Sequence, residues 1–550
     1  MHMEQEFCRE LRDPQGRLQG LRLEYPETFN FAYDVVDVMA RRCPEQTALV
    51  WCSTENQSRR FTFAQMKAGS DRMAQVLQQA GIGRGDRVML VLKRHYEYWF
   101  ALLALHKLGA VAIPATHMLT VSDYVYRFRE AEVKAVVVTP QDQVPQRILK
   151  ATEVYGQPIQ RFTVRQPVSG FQDLTAAAER SSGVFSRVQT RAEDPMLLYF
   201  TSGTTGQPKG VFHDFAYPLA HIVTAKYWQK AREGGLHFSV AETGWAKAAW
   251  GKLYGQWLVG SAVMVYDFDH FDPWQLTQII NRYGVTSFCA PPTVYRYLVR
   301  KGIPSMPTLE QATTAGEMLA PEVFRAFTAQ TGLPLREGYG QTETALLLAN
   351  FSCREAEEGS MGSPSPLYDI RLLDGEGNPV PEGEIGEVVV APTDGKRPVG
   401  IFSGYLGHEE QYRQAWMGRV YHTGDSAYRD RSGKFWFCGR CDDVIKTGGF
   451  RVGPDEVEHI LLEYPGVCEC SVVGIPDPLR GQAIKAFVSL CDDCTPSPSL
   501  ALEIKNFCNQ KLAEYKWVRM VEFVDRMPKT ISGKIRRRAL TAPEPLHLGG

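Results

Sequence analysis

The stretch YFTSGTTGQPKGV, residues 199–211, places three glycines, four hydroxyl side chains and one lysine close together. Gly203, Gly206 and Gly210 can adopt φ > 0 without a steric penalty. Successive N–H groups in such turns form a concavity that holds an anion. Thr201, Ser202, Thr204 and Thr205 add hydroxyl donors, and Lys209 adds a point charge. Such a group suits a phosphate. The run before it, MLLYF, is apolar and aromatic and reads as a buried strand. The loop would then leave a strand end, where α/β sheets hold ligands. The loop does not follow the G-x-x-x-x-G-K-[ST] pattern that opens a helix, because Gln207 and Pro208 separate Gly206 from Lys209. VFHDF after it is strand-like, so no helix N-terminus faces the anion. Taken alone, the stretch is either a phosphate loop of another kind or a polar surface turn.

The elements around it can be read from periodicity. From residue 31 to about 190, helical patterns alternate with short apolar runs such as RVMLVL and KAVVVT, the signature of a parallel sheet. RFTFAQMKAGSDRMAQVLQQAGI spaces Met66, Met73, Val76 and Leu77 at a helical period and stops at glycine. YWFALLALHKLGAVAIPAT reads as a buried helix, a turn at Gly109 and a strand. The alternation repeats from about 195 to 350. From about 360 to 440, YDIRLLDGEGNPVPEGEIGEVVVAP shows short alternating strands with Gly/Pro turns. After Asp442 a compact pattern of strands and one amphipathic helix, SLALEIKNFCNQKLAEY, runs to the end. Residues 1–30 read as a leader strand and turn.

Composition narrows the function classes. The chain has 550 residues, 44% hydrophobic and 22% charged, with a net charge of −1. Those values suit a multidomain globular protein and give no global attraction to nucleic acid or an anionic membrane. The N-terminus, MHMEQEFCRELRDPQG, lacks the apolar core of a secretory signal. His106 and Lys107 make the longest apolar run a poor membrane span. The expected location is cytoplasmic, without stable membrane insertion. Twelve cysteines include two C-x-x-C pairs, 438/441 and 491/494. The gap between them exceeds that of common zinc sites, and reduced thiols are the simpler reading. Whether the chain is a homo-oligomer is not decided by its sequence.

Four further stretches follow the loop in order: EGYGQTET (337–344), YHTGD (421–425), GRCDDVIKTGGFRVGPDEVE (439–458) and PKTISGKIRRR (528–538). Individually each has a plain structural reading. Asp425 could cap a turn, Glu343 could favour a helix N-terminus, Tyr339 could be core, and KIRRR could be a solvated basic face. Together with the first loop, over about residues 50–540, they resemble the motifs of the AMP-forming superfamily of acyl- and aryl-CoA synthetases, adenylation domains and luciferases. GWAKAAWGKLYG and MGSPSPLYD resemble its branch acting on medium-chain, branched or aromatic acids.

The resemblance implies an α/β fold. Its large N-terminal part (residues 1–441) would hold two βα-layered subdomains and a small β-barrel-like subdomain, and a small mobile α+β domain (442–550) would follow. It implies ATP, Mg²⁺ and CoA as cofactors or co-substrates, and a carboxylic acid as the group activated. Converting a carboxylate to a mixed anhydride with AMP sets one anion against another, which calls for positive charge and aligned donors. The first loop, Thr201 to Gly206 with Lys209, would hold the β- and γ-phosphates. Thr342 would contact phosphate and Glu343 would hold Mg²⁺. Tyr339 would lie against adenine, with Gly316 and Glu317 bordering the nucleotide. Asp425 would accept from both ribose hydroxyls, with Arg440 near the ribose and Arg451 near the phosphates. Lys534 would bridge the incoming carboxylate and the α-phosphate.

The second half-reaction requires the acceptor to enter where pyrophosphate has left. The resemblance implies rotation of the C-terminal domain about Asp442, bringing the KTGGF loop to the site. There Gly448 and Gly449, lacking Cβ, would let a pantetheine arm pass close to backbone. Acetate-specific relatives carry Trp at the position of Gly340, so Gly340 is expected to open room for a larger acyl group. Trp245, Lys247 and Trp250 would line or border that pocket, although Trp250 could equally be core. The alternative within the same fold loads a free carrier protein in place of CoA.

Overall fold

The computed structural model describes residues 3–201, 207–317, 319–447, 450–491, 494–530 and 535–540. Two large, mainly parallel sheets carry the first part of the chain. In the first, the strands run Gly404–Tyr405, Lys209–Asp214, Pro195–Thr201, Val111–Pro114, Arg87–Val91, Ala135–Val138, Gln160–Thr163 and Gln172–Asp173 across the sheet. The second is centred on Leu335–Tyr339, Gln311–Thr314, Ser287–Ala290, Leu236–Ser239, Ala262–Asp267 and Thr47–Ser53, which pair in parallel in that order. This is the layered architecture expected from alternating strand and helix patterns.

Local sequence explains the helices between the strands. Thr62 and Gln65 cap the helix Phe63–Gln79 reciprocally: Thr62 Oγ1 accepts from Gln65 N at 3.3 Å, and Gln65 Oε1 accepts from Thr62 N at 2.9 Å. That capping box satisfies two N–H groups otherwise left without partners. The helix Glu97–Leu108 is buried along its whole length and ends at Gly109, whose φ of 69° suits a residue without Cβ. Its polar members have partners: Lys107 Nζ donates to Asp37 at 2.8 Å and Asp71 at 2.5 Å, and His106 Nε2 meets the Tyr254 hydroxyl at 2.9 Å. Pairing offsets the desolvation that an isolated buried lysine would suffer.

The third unit is an antiparallel sheet of Asp369–Leu373, Gly386–Ala391, Tyr421–Arg429 and Phe435–Arg440. The last joins the long hairpin Val467–Asp477/Gly481–Leu490 to the short hairpin Ile445–Thr447/Phe450–Val452 and to Met520–Phe523, with helices Pro454–Leu462 and Pro498–Lys511 alongside. The large α/β part followed by a smaller α+β part agrees with the sequence reading. The leader differs in detail: a four-residue helix, Glu4–Phe7, precedes the hairpin Cys8–Arg12/Leu18–Leu23.

Candidate active site

The first loop joins two neighbouring antiparallel strands, with Thr201 opposite Lys209 at its base. No helix follows the loop directly, as VFHDF predicts. Ser202, Gly203, Thr204, Thr205 and Gly206 lie outside the described residues. Tyr126 steadies the base by donating from its hydroxyl to the Pro208 carbonyl at 2.9 Å. Lys209 Nζ lies 5.7 Å from the centre of the Tyr405 ring.

Tyr405 connects the loop to the second motif. Its hydroxyl donates to Glu343 Oε1 at 3.0 Å, and its strand pairs with Lys209–Asp214 at Val211. Burial pushes the Glu343 carboxyl above the ordinary range, opposed by local hydrogen bonds that include the one from Tyr405. A half-buried carboxylate beside the base of the glycine-rich loop is of the type that suits Mg²⁺, which is commonly held by one or two carboxylates together with substrate phosphates. The neighbouring Thr342 carbonyl accepts from His213 Nε2 at 2.7 Å. Burial drives the His213 imidazole down to about 3, which keeps it neutral.

Asp425 stands on Tyr421–Arg429, opposite Arg440 in the register. Oδ2 accepts from the Tyr339 hydroxyl at 2.5 Å and from Gln341 Nε2 at 2.6 Å, and Oδ1 pairs with Arg440 Nη1 at 3.1 Å. Gln341 is fixed in turn, donating to the Thr423 carbonyl at 2.8 Å and accepting from the Tyr421 hydroxyl at 2.7 Å. At least three protein donors therefore converge on Asp425. A carboxylate offers about four lone-pair sites, so two ribose hydroxyls can bind it only if one of these donors yields. Tyr339 presents its hydroxyl to this cluster as well as an aromatic face. Gln341 and Tyr421 are additions to the sequence reading. Gln341 lies inside EGYGQTET and Tyr421 opens YHTGD, where either could have been weighed, whereas nothing local marks Tyr405.

Gly316 has φ +102°, a conformation that disfavours any side chain. Glu317 Oε2 accepts from Thr293 Oγ1 at 2.8 Å. Arg440 Nε lies 3.6 Å from Asp442 Oδ1, so one guanidinium links Asp425 to Asp442, two residues beyond the third sheet. Arg451 lies in Phe450–Val452, opposite Lys446. Gly448, Gly449 and Lys534 lie outside the described residues.

The room expected beside Gly340 is already filled. A Cβ built there would stand 2.5 Å from Trp250 Cη2 and 2.6 Å from the Ala345 carbonyl oxygen. Glycine at this position accommodates the indole of Trp250, which is buried. Lys247 Nζ lies 4.5 Å from the Trp250 ring centre and 5.1 Å from that of Trp228, buried and without a hydrogen-bond partner. Burial lowers its pKa from the usual lysine value. Trp245 forms the turn before the helix Lys247–Gly251, its N–H donating to the Glu242 carbonyl at 3.2 Å. The C-x-x-C pair 438/441 is split, with Cys438 buried and Cys441 exposed.

Two strand ends and one antiparallel strand thus bring the loop base at Thr201 and Lys209, a half-buried carboxylate and an arginine-paired aspartate together. Comparison with known families agrees. Residues 36–406 match the AMP-binding enzyme family and residues 456–534 the AMP-binding enzyme C-terminal domain. The chain belongs to the AMP-binding enzyme family. Within that family it falls among the AMP-forming acyl-CoA synthetases. It is 35% identical to the human mitochondrial acyl-coenzyme A synthetase ACSM3 over 539 residues, covering 96% of this chain and 91% of that protein. It is 38% identical to 4-hydroxybutyrate–CoA ligase 1 of Metallosphaera sedula over 527 residues, covering 94% and 91%. Among solved structures, it resembles the anthranilate CoA ligase AuaEII in complex with anthranoyl-AMP, with a TM-score of 0.83, 28% identity and coverage of 94% and 97%. Among the described residues, no helix is long and apolar enough to cross a membrane.

Proposed function

We propose that the protein activates a medium-chain, branched-chain or aromatic carboxylic acid with ATP, releases pyrophosphate and transfers the acyl group from AMP to CoA. The convergence of Tyr339, Gln341 and Arg440 on Asp425, beside the Lys209–Tyr405–Glu343 group, carries this reading. It would offer a ribose acceptor and a phosphate-side carboxylate close to each other. Thr201 and the loop it opens would hold the outer phosphates, with Lys209 as their charge. Glu343 would hold Mg²⁺, which when bound offsets phosphate charge, and Thr342 would contact phosphate. Gly316, Glu317 and the Tyr339 ring would border the adenine. Lys534 would supply the charge between carboxylate and α-phosphate. Rotation about Asp442, the boundary between residues 1–441 and 442–550, would then replace it with the Gly448–Gly449 backbone, and Arg451 would meet phosphate.

In this reading Trp250, more than Gly340, limits the acyl group, together with Trp245 and Lys247. An apolar wall separates acids differing by one methylene by only ~1–3 kcal/mol, so the protein is expected to accept a range of acids. Its relatives' names span a hydroxy acid and an aromatic acid, which fits that breadth. The test is exchange of labelled pyrophosphate into ATP without CoA. The reading requires exchange that depends on the added acid, and exchange indifferent to acid would reject it.

A further inference from the structure

The loop carrying Lys534 is closed at its base. Lys529 and Ile535 form an antiparallel bridge, and Arg536 N donates to the Pro528 carbonyl at 2.8 Å. The next residue, Arg537, opens the short helix Arg537–Leu540 and directs its guanidinium at three carboxylates. Nε and Nη2 grip Glu458 at 3.1 and 2.7 Å, Nη2 also reaches Asp455 Oδ1 at 2.8 Å, and Nη1 reaches Asp443 Oδ2 at 3.4 Å. Glu458 and Asp455 lie on Pro454–Leu462, and Glu458 Oε1 also accepts from Val472 N at 2.7 Å on the long hairpin. Asp443 directly follows Asp442, which Arg440 holds from the other side. Two arginines thus flank two consecutive acids: Arg440 beside the ribose-side Asp425, and Arg537 three residues beyond Lys534.

We propose that Arg537 is a positioning residue for adenylation, anchoring the chain that follows Lys534 to Asp443 and Pro454–Leu462. This rests on the reading of Lys534 as the adenylating lysine. A bidentate guanidinium fixes direction as well as charge, and an ammonium in its place cannot reproduce that fork. A displacement of about 1 Å at a reacting group can cost ~10²-fold in rate. Removing the charge altogether would leave three acids facing one another, with the severe cost of unpaired buried charge. The informative variant is therefore Arg537→Lys, which keeps the cation.

The experiment measures each half-reaction separately in the full chain. Acid-dependent pyrophosphate exchange reports adenylation, and transfer from presynthesised acyl-adenylate to CoA reports the second step. Arg537→Lys is expected to slow exchange about 10- to 100-fold and to leave transfer within about threefold. Combined with Lys534→Ala, it should be no slower in exchange than Lys534→Ala alone, because both act through one side chain. Equal loss of both half-reactions, or a double variant slower by the full factor of the single change, would overturn the proposal while Lys534→Ala stays selective. Full exchange by Lys534→Ala would overturn the Lys534 reading and the proposal with it.

Discussion

Replacing Asp425 by asparagine tests the nucleotide side of the site. The amide keeps one acceptor and turns the other position into a donor. With Tyr339 and Gln341 both donating to Oδ2 at 2.5–2.6 Å, the amide oxygen is held there, and the NH₂ group then faces Arg440 Nη1, 3.1 Å away in the native protein. The charged pair is lost, and the ribose meets an amide in place of a carboxylate. Hydrogen bonds to charged groups contribute about 1.5–3 kcal/mol. Losing one such interaction with the ribose weakens nucleotide binding by about 10- to 150-fold. Calorimetric titration with AMP and with 2′,3′-dideoxy-AMP reads this directly. The native protein should prefer AMP by a similar factor, and Asp425→Asn should nearly abolish that preference. A preference that survives the substitution, in a variant that melts like the native protein, would refute the assignment of Asp425 to the ribose.

Gly340→Ala should reduce adenylation of every acid, because its Cβ meets the Trp250 ring and a backbone oxygen. Trp250→Ala should shift the acid profile toward longer chains at a cost of about 3–5 kcal/mol in stability; an unchanged profile would remove Trp250 from the acyl wall. Lys252 is fully buried without a hydrogen-bond partner, and burial brings its pKa to about 7 from 10.5. Between those values the unfolded chain binds the extra proton, so this residue makes stability rise with pH by up to about 1.4 kcal/mol per pH unit. Urea unfolding of Lys252→Met at pH 7.5 and 9.5 should show that contribution gone; an identical pH slope in both proteins would contradict it. Gly449→Leu should spare pyrophosphate exchange and block thioester formation, and equal loss of both would remove the KTGGF loop from the thiol path.

The fold was legible where a single stretch carries its own instructions. Thr62 with Gln65 and the glycine at 109 mark helix ends from neighbouring residues alone, and MLLYF with VFHDF gives the hairpin around the loop. The site was legible to the extent that its motifs are contiguous: Tyr339, Thr342 and Glu343 lie within one octapeptide. What escaped depends on contacts between distant segments. Tyr405 reaches Glu343 from 62 residues away and Arg537 reaches Asp443 from 94. Gly340 invites a reading of empty space because a missing side chain does not reveal what packs against it. The indole that does so comes from the helix Lys247–Gly251, about 90 residues earlier in the chain. The buried lysines are hidden for the same reason, since KAAWGK gives no sign that both of its cations leave water.

The most direct test of the account is product analysis with ATP and Mg²⁺ and a panel of acids from acetate to octanoate, branched acids and benzoate, with and without CoA. The account predicts AMP, pyrophosphate and the acyl-CoA, with acids of four carbons or more, or aromatic acids, favoured over acetate. Adenylate without any thioester would point to a carrier protein as acceptor, and ADP as product or turnover without acid would contradict the account.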